Sequence, residues 1–354
     1  EAGARRTMRV FVNGMGRIGR IALRILAHHP HLDVVGMNDL SDYEQIVHLI
    51  KYDSTYGTFP DIGGSRNSTT RIGRHDLKHF ELRNPGDLPL RDLGVDVVLE
   101  CTGAFNSREK VEPYLAAGAT RVLISAPAKN VDFSMVPGIN SDQYDPQKHF
   151  LVSAASCTTN CAVPTVKALD DAFGIVGGNL TTVHAYTNDQ QILDKRHDKD
   201  WRRARSGAEN IIPTSSGAAK AVAEILPHLK GKMHATALRV PVEVCSALDC
   251  TVQTREPVQS VEQVNGAFHG KANGPWSEIF EVCMDPIVSS DVRGSTKAAI
   301  VDALSTAVIN EHLIYCLAWY DNEWGYTSQL IRALEHMTDA ETGQPLPTAA
   351  QAAC

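Results

Sequence analysis

Residues Arg9 to Asp39 constrain the fold of this chain more than any other stretch. Arg9-Val-Phe-Val-Asn13 is a short β-rich run, and Gly14-Met15-Gly16-Arg17-Ile18-Gly19 follows directly. Arg20 to His29 has helical spacing, with Ile21, Leu23, Ile25 and Leu26 apolar, and a second strand, Leu32 to Met37, ends in Asn38-Asp39. Strand, glycine turn, helix, strand and terminal acid in this order form a dinucleotide-binding fingerprint. Gly14 permits the tight turn, Gly16 lets backbone approach a pyrophosphate, and Gly19 lets helix pack closely on strand. The helix N-terminus offers its unpaired N–H groups to the phosphates. Asp39 stands 20 residues after Gly19, at the offset expected of an acid that binds ribose hydroxyls.

Further alternation follows. Val95 to Glu100 and Arg121 to Ser125 read as buried strands, with Arg108 to Ala117 helical between them. This pattern predicts a Rossmann-type parallel sheet with helices on both faces, and ligands in such sheets bind at the strands' carboxyl ends. Beyond Ser156 the texture changes. Asn179 to His184, Ala235 to Val240, Ser246 to Thr254 and Leu313 to Tyr320 are strand-like, with one helix over Gly217 to Leu226. We expect an α/β chain: a dinucleotide-binding domain over 8–156 and an α+β catalytic domain with a largely antiparallel sheet over 157–322. A helix over 323–338 and a loose tail over 339–354 complete it.

The 354 residues suffice for two domains of ~100–200 residues each. A net charge of −7 gives no electrostatic case for nucleic acid, and no apolar run approaches the ~20 residues of a membrane span. The charged start lacks the apolar core of a signal peptide, and Met8 reads as the natural first residue. Eight cysteines without a CxxC pair suit free thiols in a reducing cytoplasm, with neither a disulfide framework nor a metal site.

The densest polar constellation is Ser153-Ala-Ala-Ser156-Cys157-Thr158-Thr159-Asn160-Cys161. A cysteine at the opening of a helix gains from the helix dipole, which favours the thiolate. Ser156, Thr158 and Thr159 are hydroxyls able to hold an anion. Of 14 histidines, His184 stands out at a strand end in Thr182-Val-His-Ala-Tyr-Thr187-Asn-Asp189, and a Cys–His pair can act as nucleophile and acid/base.

Asn13-Gly-Met-Gly-Arg-Ile-Gly-Arg20, Ser156-Cys-Thr-Thr-Asn-Cys161, His184-Ala-Tyr-Thr-Asn-Asp-Gln190, Asn210 to Lys220, Arg239-Val-Pro241 and Trp319-Tyr-Asp-Asn-Glu-Trp-Gly-Tyr326 occur in order. Together they resemble phosphorylating glyceraldehyde-3-phosphate dehydrogenases, from Met8 to about Met337. The resemblance implies NAD-dependent oxidation of glyceraldehyde 3-phosphate to 1,3-bisphosphoglycerate in a homotetramer. Cys157 is then the nucleophile of a thiohemiacetal and a thioester, and His184 its ion-pair partner and base. Arg239 and Thr187 would hold the substrate phosphate, with Asp189 orienting the arginine. Ser156, Thr158, Ser216 and Gly217 would hold inorganic phosphate, with Arg205 nearby. Arg17 and Ile18 would approach the pyrophosphate, Asp39 the ribose, Arg83 and Thr102 the adenine half, and Ser125 and Asn322 the nicotinamide.

Two departures from the family pattern stand out. Met15 replaces a common phenylalanine, one apolar filler for another. Lys195-Arg196 replaces a glycine–proline or leucine–proline pair in a loop that, by resemblance, reaches a neighbouring subunit's adenosine ribose. Two cations there could accept the 2′-phosphate of NADP in an enzyme of the biosynthetic direction, whereas Asp39 opposes it. Erythrose-4-phosphate dehydrogenase, a non-catalytic cofactor-binding protein and a Cys–His hydrolase or acyltransferase are the rival readings.

Overall fold

The computed structural model describes residues 7–66, 69–198 and 200–343. The chain forms two compact units, residues 1–156 with 330–354, and Cys157–Gln329.

In the first unit, described strands form one sheet in the order Phe133–Ser134, Leu151–Ser153, Arg121–Ile124, Val97–Glu100, Met8–Asn13, Leu32–Asn38, His75–Phe80, Thr69–Ile72, Ile62–Arg66. Pairing is parallel through His75–Phe80 and antiparallel for the last two, the Rossmann-type sheet expected. Runs such as Val97-Val-Leu-Glu100 are buried on both faces, which a parallel sheet covered by helices requires. The first helix, α1 (Arg17–Leu26), starts inside the glycine turn, three residues before the apolar spacing suggested. Helix α2 (Tyr43–Lys51), not read from the sequence, is capped by Asp42, whose side chain accepts from the Gln45 N–H at 3.0 Å. The third helix, α3, spans Arg108–Ala116.

The second unit holds seven described strands in the order Ile212–Ser215, Met233–Val240, Ile175–Ala185, Ser246–Thr254, Leu313–Tyr320, Ala299–Asn310, Phe280–Cys283. Four of the six pairings are antiparallel, as expected; Ile175–Ala185 with Met233–Val240 and Phe280–Cys283 with Ala299–Asn310 are parallel. Helices α4 (Cys157–Phe173), α5 (Ala218–Ile225) and α6 (Val261–Ala272) belong to this unit.

The last helix, α7, runs Trp324–Thr342, four residues beyond the expected end at 338. From Leu330 on it joins the core of the first unit, burying Leu330, Ile331, Ala333, Leu334 and Met337. Two contacts within that unit explain the extension: the fully buried Thr338 hydroxyl lies 3.1 Å from Met8 Sδ, and Glu341 pairs with Arg121 at 2.6 Å. Helical order therefore covers the start of the expected tail; residues 344–354 lie outside the described residues.

Candidate active site

Cys157 is the first residue of α4, so its sulfur stands at the positive end of the helix dipole. Ala155, two residues before, holds the left-handed φ of +57°, a conformation uncommon for a side chain larger than hydrogen. Ile175–Ala185 brings in His184, 3% exposed, with Nε2 3.4 Å from Cys157 Sγ. The neighbouring strand in parallel register sets Arg239 directly beside His184. Arg239 Nη1 lies 2.7 Å from His184 Nδ1 and 3.0 Å from the Ala185 carbonyl oxygen, itself 2.7 Å from Nδ1.

A guanidinium only donates, so these contacts set two tautomers against each other. With Nδ1 protonated, the ring donates to Ala185 O and turns a bare Nε2 toward the sulfur. With Nδ1 bare, it accepts from Arg239 and Nε2 carries the proton. Charge on the ring is disfavoured in both. Burial, then the Arg239 charge, then that of Arg203 push His184 down to about 3, against the Ala185 carbonyl. Burial likewise pushes the Cys157 thiol up, opposed chiefly by Arg239. Burial thus works against the expected ion pair, while the Arg239 charge favours the thiolate and opposes a charged imidazole.

Tyr320 links three elements here. Its hydroxyl lies 2.9 Å from Thr158 Oγ1 and 2.6 Å from Thr182 Oγ1, and its ring meets His184 edge-on at 6.0 Å. This task of Tyr320 arises only where strand and helix meet in the fold. Asn322 Oδ1 accepts from the Cys245 N–H at 3.0 Å and the Ser246 hydroxyl at 3.1 Å, and Ser246 Oγ accepts from the Ala185 N–H at 3.1 Å. The chain Ala185–Ser246–Asn322 thus ties Asn322 to the His184 strand end. Cys245 holds φ +73°, a second strained position beside the site.

Two expected phosphate contacts change. Arg205 Nε pairs with Asp194 at 2.6 Å, both largely exposed. Arg203, two residues earlier, donates through Nε to Thr214 Oγ1 at 3.0 Å, and its charge reaches His184 and Arg239. Asp189 pairs with Arg203 and with His197 at 3.2 Å, and so braces Arg203 where Arg239 was expected. The arginine run 202–205 has no periodicity from which to choose its inward member. Arg239 Nε, buried, finds no partner among the described residues, a donor left for an incoming anion. Thr187 is half-buried after the same strand, and Ser216 and Gly217 precede α5. Ser216 Oγ accepts from the Ala218 N–H at 3.3 Å.

In the first unit the glycine turn fits a dinucleotide. Gly14 has φ +95°, and a Cβ there would lie 2.6 Å from Thr102 N. A Cβ on Gly16 would meet nothing within 4 Å, which leaves the space over the turn open. Asp39 Oδ2 accepts from the Met15 N–H at 2.7 Å and Oδ1 from the Ser41 N–H at 2.9 Å. Burial alone would raise this carboxyl, but those N–H groups bring it below its ordinary value. The Arg17 side chain pairs with Asp53 and lies 5.7 Å from the Tyr56 ring centre. Thr102 is tied through N–H and hydroxyl to the buried Glu100, and the Ser125 N–H donates to the Glu100 carbonyl at 2.9 Å. Arg83 is exposed.

Among the described residues no group of three or more His, Cys, Asp or Glu is arranged to hold a metal, and no helix is long and apolar enough to cross a membrane.

Residues 8–108 match the family model for the glyceraldehyde 3-phosphate dehydrogenase NAD binding domain, and residues 156–322 that for its C-terminal domain. The glyceraldehyde-3-phosphate dehydrogenase of Geobacillus stearothermophilus is 46% identical over 325 residues, 92% of this chain and 96% of the relative. Glyceraldehyde-3-phosphate dehydrogenase 2 of Streptomyces avermitilis is 47% identical over 326 residues, 92% and 97% of the two chains. This chain belongs to the glyceraldehyde-3-phosphate dehydrogenase family. Family membership makes it an oxidoreductase with an NAD-binding Rossmann unit. The Cys157–His184–Arg239 cluster lies within the family's C-terminal domain match, and the glycine turn with Asp39 lies within the NAD binding domain match.

Proposed function

We propose that the chain catalyses the NAD-dependent, phosphorylating oxidation of glyceraldehyde 3-phosphate to 1,3-bisphosphoglycerate through a thioester on Cys157. One observation carries the reading: a half-buried thiol at a helix N-terminus, 3.4 Å from a buried imidazole and beside a guanidinium with an unpartnered Nε. Cys157 attacks the aldehyde carbon and passes its proton to His184 Nε2. His184 returns a proton to the oxyanion, which gives the hemithioacetal, and takes it back as hydride leaves the carbon. NAD, when bound, supplies the hydride acceptor. Inorganic phosphate then attacks the thioester and Cys157 departs as thiolate. A thioester keeps much of the oxidation energy, and an oxygen ester at the same position would not.

Phosphate chemistry resolves the tautomer conflict. Arg239 and Thr187 take the substrate phosphate, whose charge draws the guanidinium from Nδ1 and favours the form with Nδ1 bonded to Ala185 and Nε2 bare. Arg203, with Ser156, Thr158, Ser216 and Gly217, takes inorganic phosphate, and two bound anions offset the cations that keep the imidazole neutral. The dinucleotide rests on backbone at Gly14–Gly19, with Asp39 on the adenosine ribose, and Asn322 is held ready for the nicotinamide. The anionic Asp39 repels a 2′-phosphate, so NAD is the preferred cofactor. The exposed Lys195 and Arg196 favour NADP as a second cofactor. Ile192, Leu193 and Trp201 are 73–90% exposed on one loop, apolar surface that a homotetramer would cover.

Mixing the protein with NAD, inorganic phosphate and the triose phosphate should raise NADH absorbance, and Cys157→Ser should abolish it. No signal from the unaltered chain, or an unchanged rate in Cys157→Ser, refutes the reading. A higher kcat/KM with NADP than with NAD refutes the cofactor assignment.

A further inference from the structure

Four thiols lead from the site into the interior of the second unit. Cys161 follows Cys157 one turn along α4 and is fully buried. Cys250 on Ser246–Thr254 and Cys316 on Leu313–Tyr320 stand directly opposite each other in antiparallel register, both fully buried. Cys316 lies within electrostatic reach of Cys250 and Cys161, and Cys161 within that of Cys157 and Cys250. All four are free thiols. Burial seals the inner three from dissolved oxidants. Oxidising equivalents can reach them through Cys157.

We propose that Cys161, Cys250 and Cys316 form an internal relay that lifts a hydroperoxide's oxidising equivalents off Cys157 and stores them as a Cys250–Cys316 disulfide. This rests on Cys157 being the reactive nucleophile of the proposed function, but not on its aldehyde chemistry. The thiolate of Cys157 attacks hydrogen peroxide, the O–O bond breaks, hydroxide leaves and takes up the thiol's proton as water, and a sulfenic acid remains. Cys161 attacks the sulfenic sulfur, the S–O bond breaks, and a second water leaves with the Cys161 proton. Cys250 attacks the Cys161 sulfur and releases Cys157, which takes the Cys250 proton. Cys316 then attacks the Cys250 sulfur and releases Cys161 with the Cys316 proton. In balance, one peroxide and two thiols give one disulfide and two waters, and Cys157 and Cys161 are restored.

The distances are within reach of small motions. Residues i and i+4 of a helix have Cβ atoms ~5–6 Å apart, and opposite residues of an antiparallel pair ~4.5–5.5 Å. A disulfide needs ~3.5–4.5 Å, so the Cys157–Cys161 and Cys250–Cys316 bonds ask for approaches of about 1.5 Å and about 1 Å.

The test is titration of the full chain with hydrogen peroxide, read by peptide mass spectrometry for the free Cys157 thiol and for a Cys250–Cys316 crosslink. In the unaltered chain the first equivalent should leave Cys157 free and produce the crosslink. In Cys250→Val the same equivalent should consume Cys157 as a Cys157–Cys161 disulfide, so half-loss of its thiol needs about threefold less peroxide, whereas Cys316→Val should leave Cys157 free and yield a Cys161–Cys250 crosslink instead. Cys161→Ala should block the crosslink. Cys316→Ala and Cys250→Ala serve should either valine variant fold poorly. Equal peroxide sensitivity of Cys157 in all variants, or no crosslink in the unaltered chain, overturns the relay. Because the readout is thiol content, a chain without dehydrogenase activity still reports on it.

Discussion

Replacing Arg203 and Arg205 in turn tests which of the two arginines meets inorganic phosphate. The two arginines are two residues apart and opposite in circumstance. Arg205 pairs with Asp194 where both side chains are about 60% exposed, and such surface pairs contribute ~0–1 kcal/mol. Arg203 is 23% exposed, fixed by Asp189 and by Thr214 at 3.0 Å, and its charge reaches both His184 and Arg239. A charge-assisted hydrogen bond to bound phosphate is worth ~1.5–3 kcal/mol, which corresponds to about 10- to 150-fold in affinity. Arg203→Gln should therefore raise the KM for inorganic phosphate by about 10- to 150-fold, and Arg205→Gln should change it less than about fivefold. The assay is NADH formation at saturating NAD and triose phosphate with phosphate varied, alongside thermal unfolding to exclude a folding defect. A larger effect in Arg205→Gln, or none in a folded Arg203→Gln, refutes the assignment.

Tyr320→Phe removes two buried hydrogen bonds, to Thr158 and Thr182, each worth ~0.5–1.5 kcal/mol, and should lower the Tm of the second unit by about 2–10 °C in calorimetry. An unchanged Tm refutes the bridge. His184, held near 3 in the fold, stays neutral at pH values where the unfolded chain, at about 6.5, binds a proton. Its contribution is thus fully present above 6.5 and is lost as pH falls from there toward 3. Unfolding of His184→Asn by denaturant should lose less stability over that acid window than the unaltered chain, and parallel curves contradict the shift. Asp39→Ala removes the charge that opposes a 2′-phosphate and should raise kcat/KM with NADP relative to NAD by about tenfold or more in matched assays. An unchanged ratio places the discrimination elsewhere.

The parts of this fold most legible in the sequence are those where one backbone demand excludes nearly every residue but one. Gly14, with φ +95° and a neighbouring backbone 2.6 Å from any Cβ, is such a position, and strand, turn and helix follow from it. Buried strands such as Val97–Glu100 and Leu313–Tyr320 were visible because their apolar periods are short and unbroken. Helix α6 was not read: its buried Val264 and Phe268 are interrupted by Gly266 and Gly270, which lower helix propensity. The extension of α7 depends on Met8 and Arg121, partners more than 200 residues away. At the site, Cys157 and His184 were legible as residue types with a local setting. The choice between Arg203 and Arg205, the partner of Asp189 and the bridge made by Tyr320 all depend on loops and strands that meet only in the folded unit.

The central claim is that Cys157 carries the substrate as a thioester. Mixing the protein with NAD and glyceraldehyde 3-phosphate in the absence of phosphate should give a burst of up to one NADH per chain. Intact and peptide mass spectrometry of the quenched protein should find the phosphoglyceryl group on Cys157, and added phosphate should discharge it with resumed turnover. Steady NADH formation without phosphate and without a Cys157 adduct contradicts the account, as does a burst that survives in Cys157→Ser.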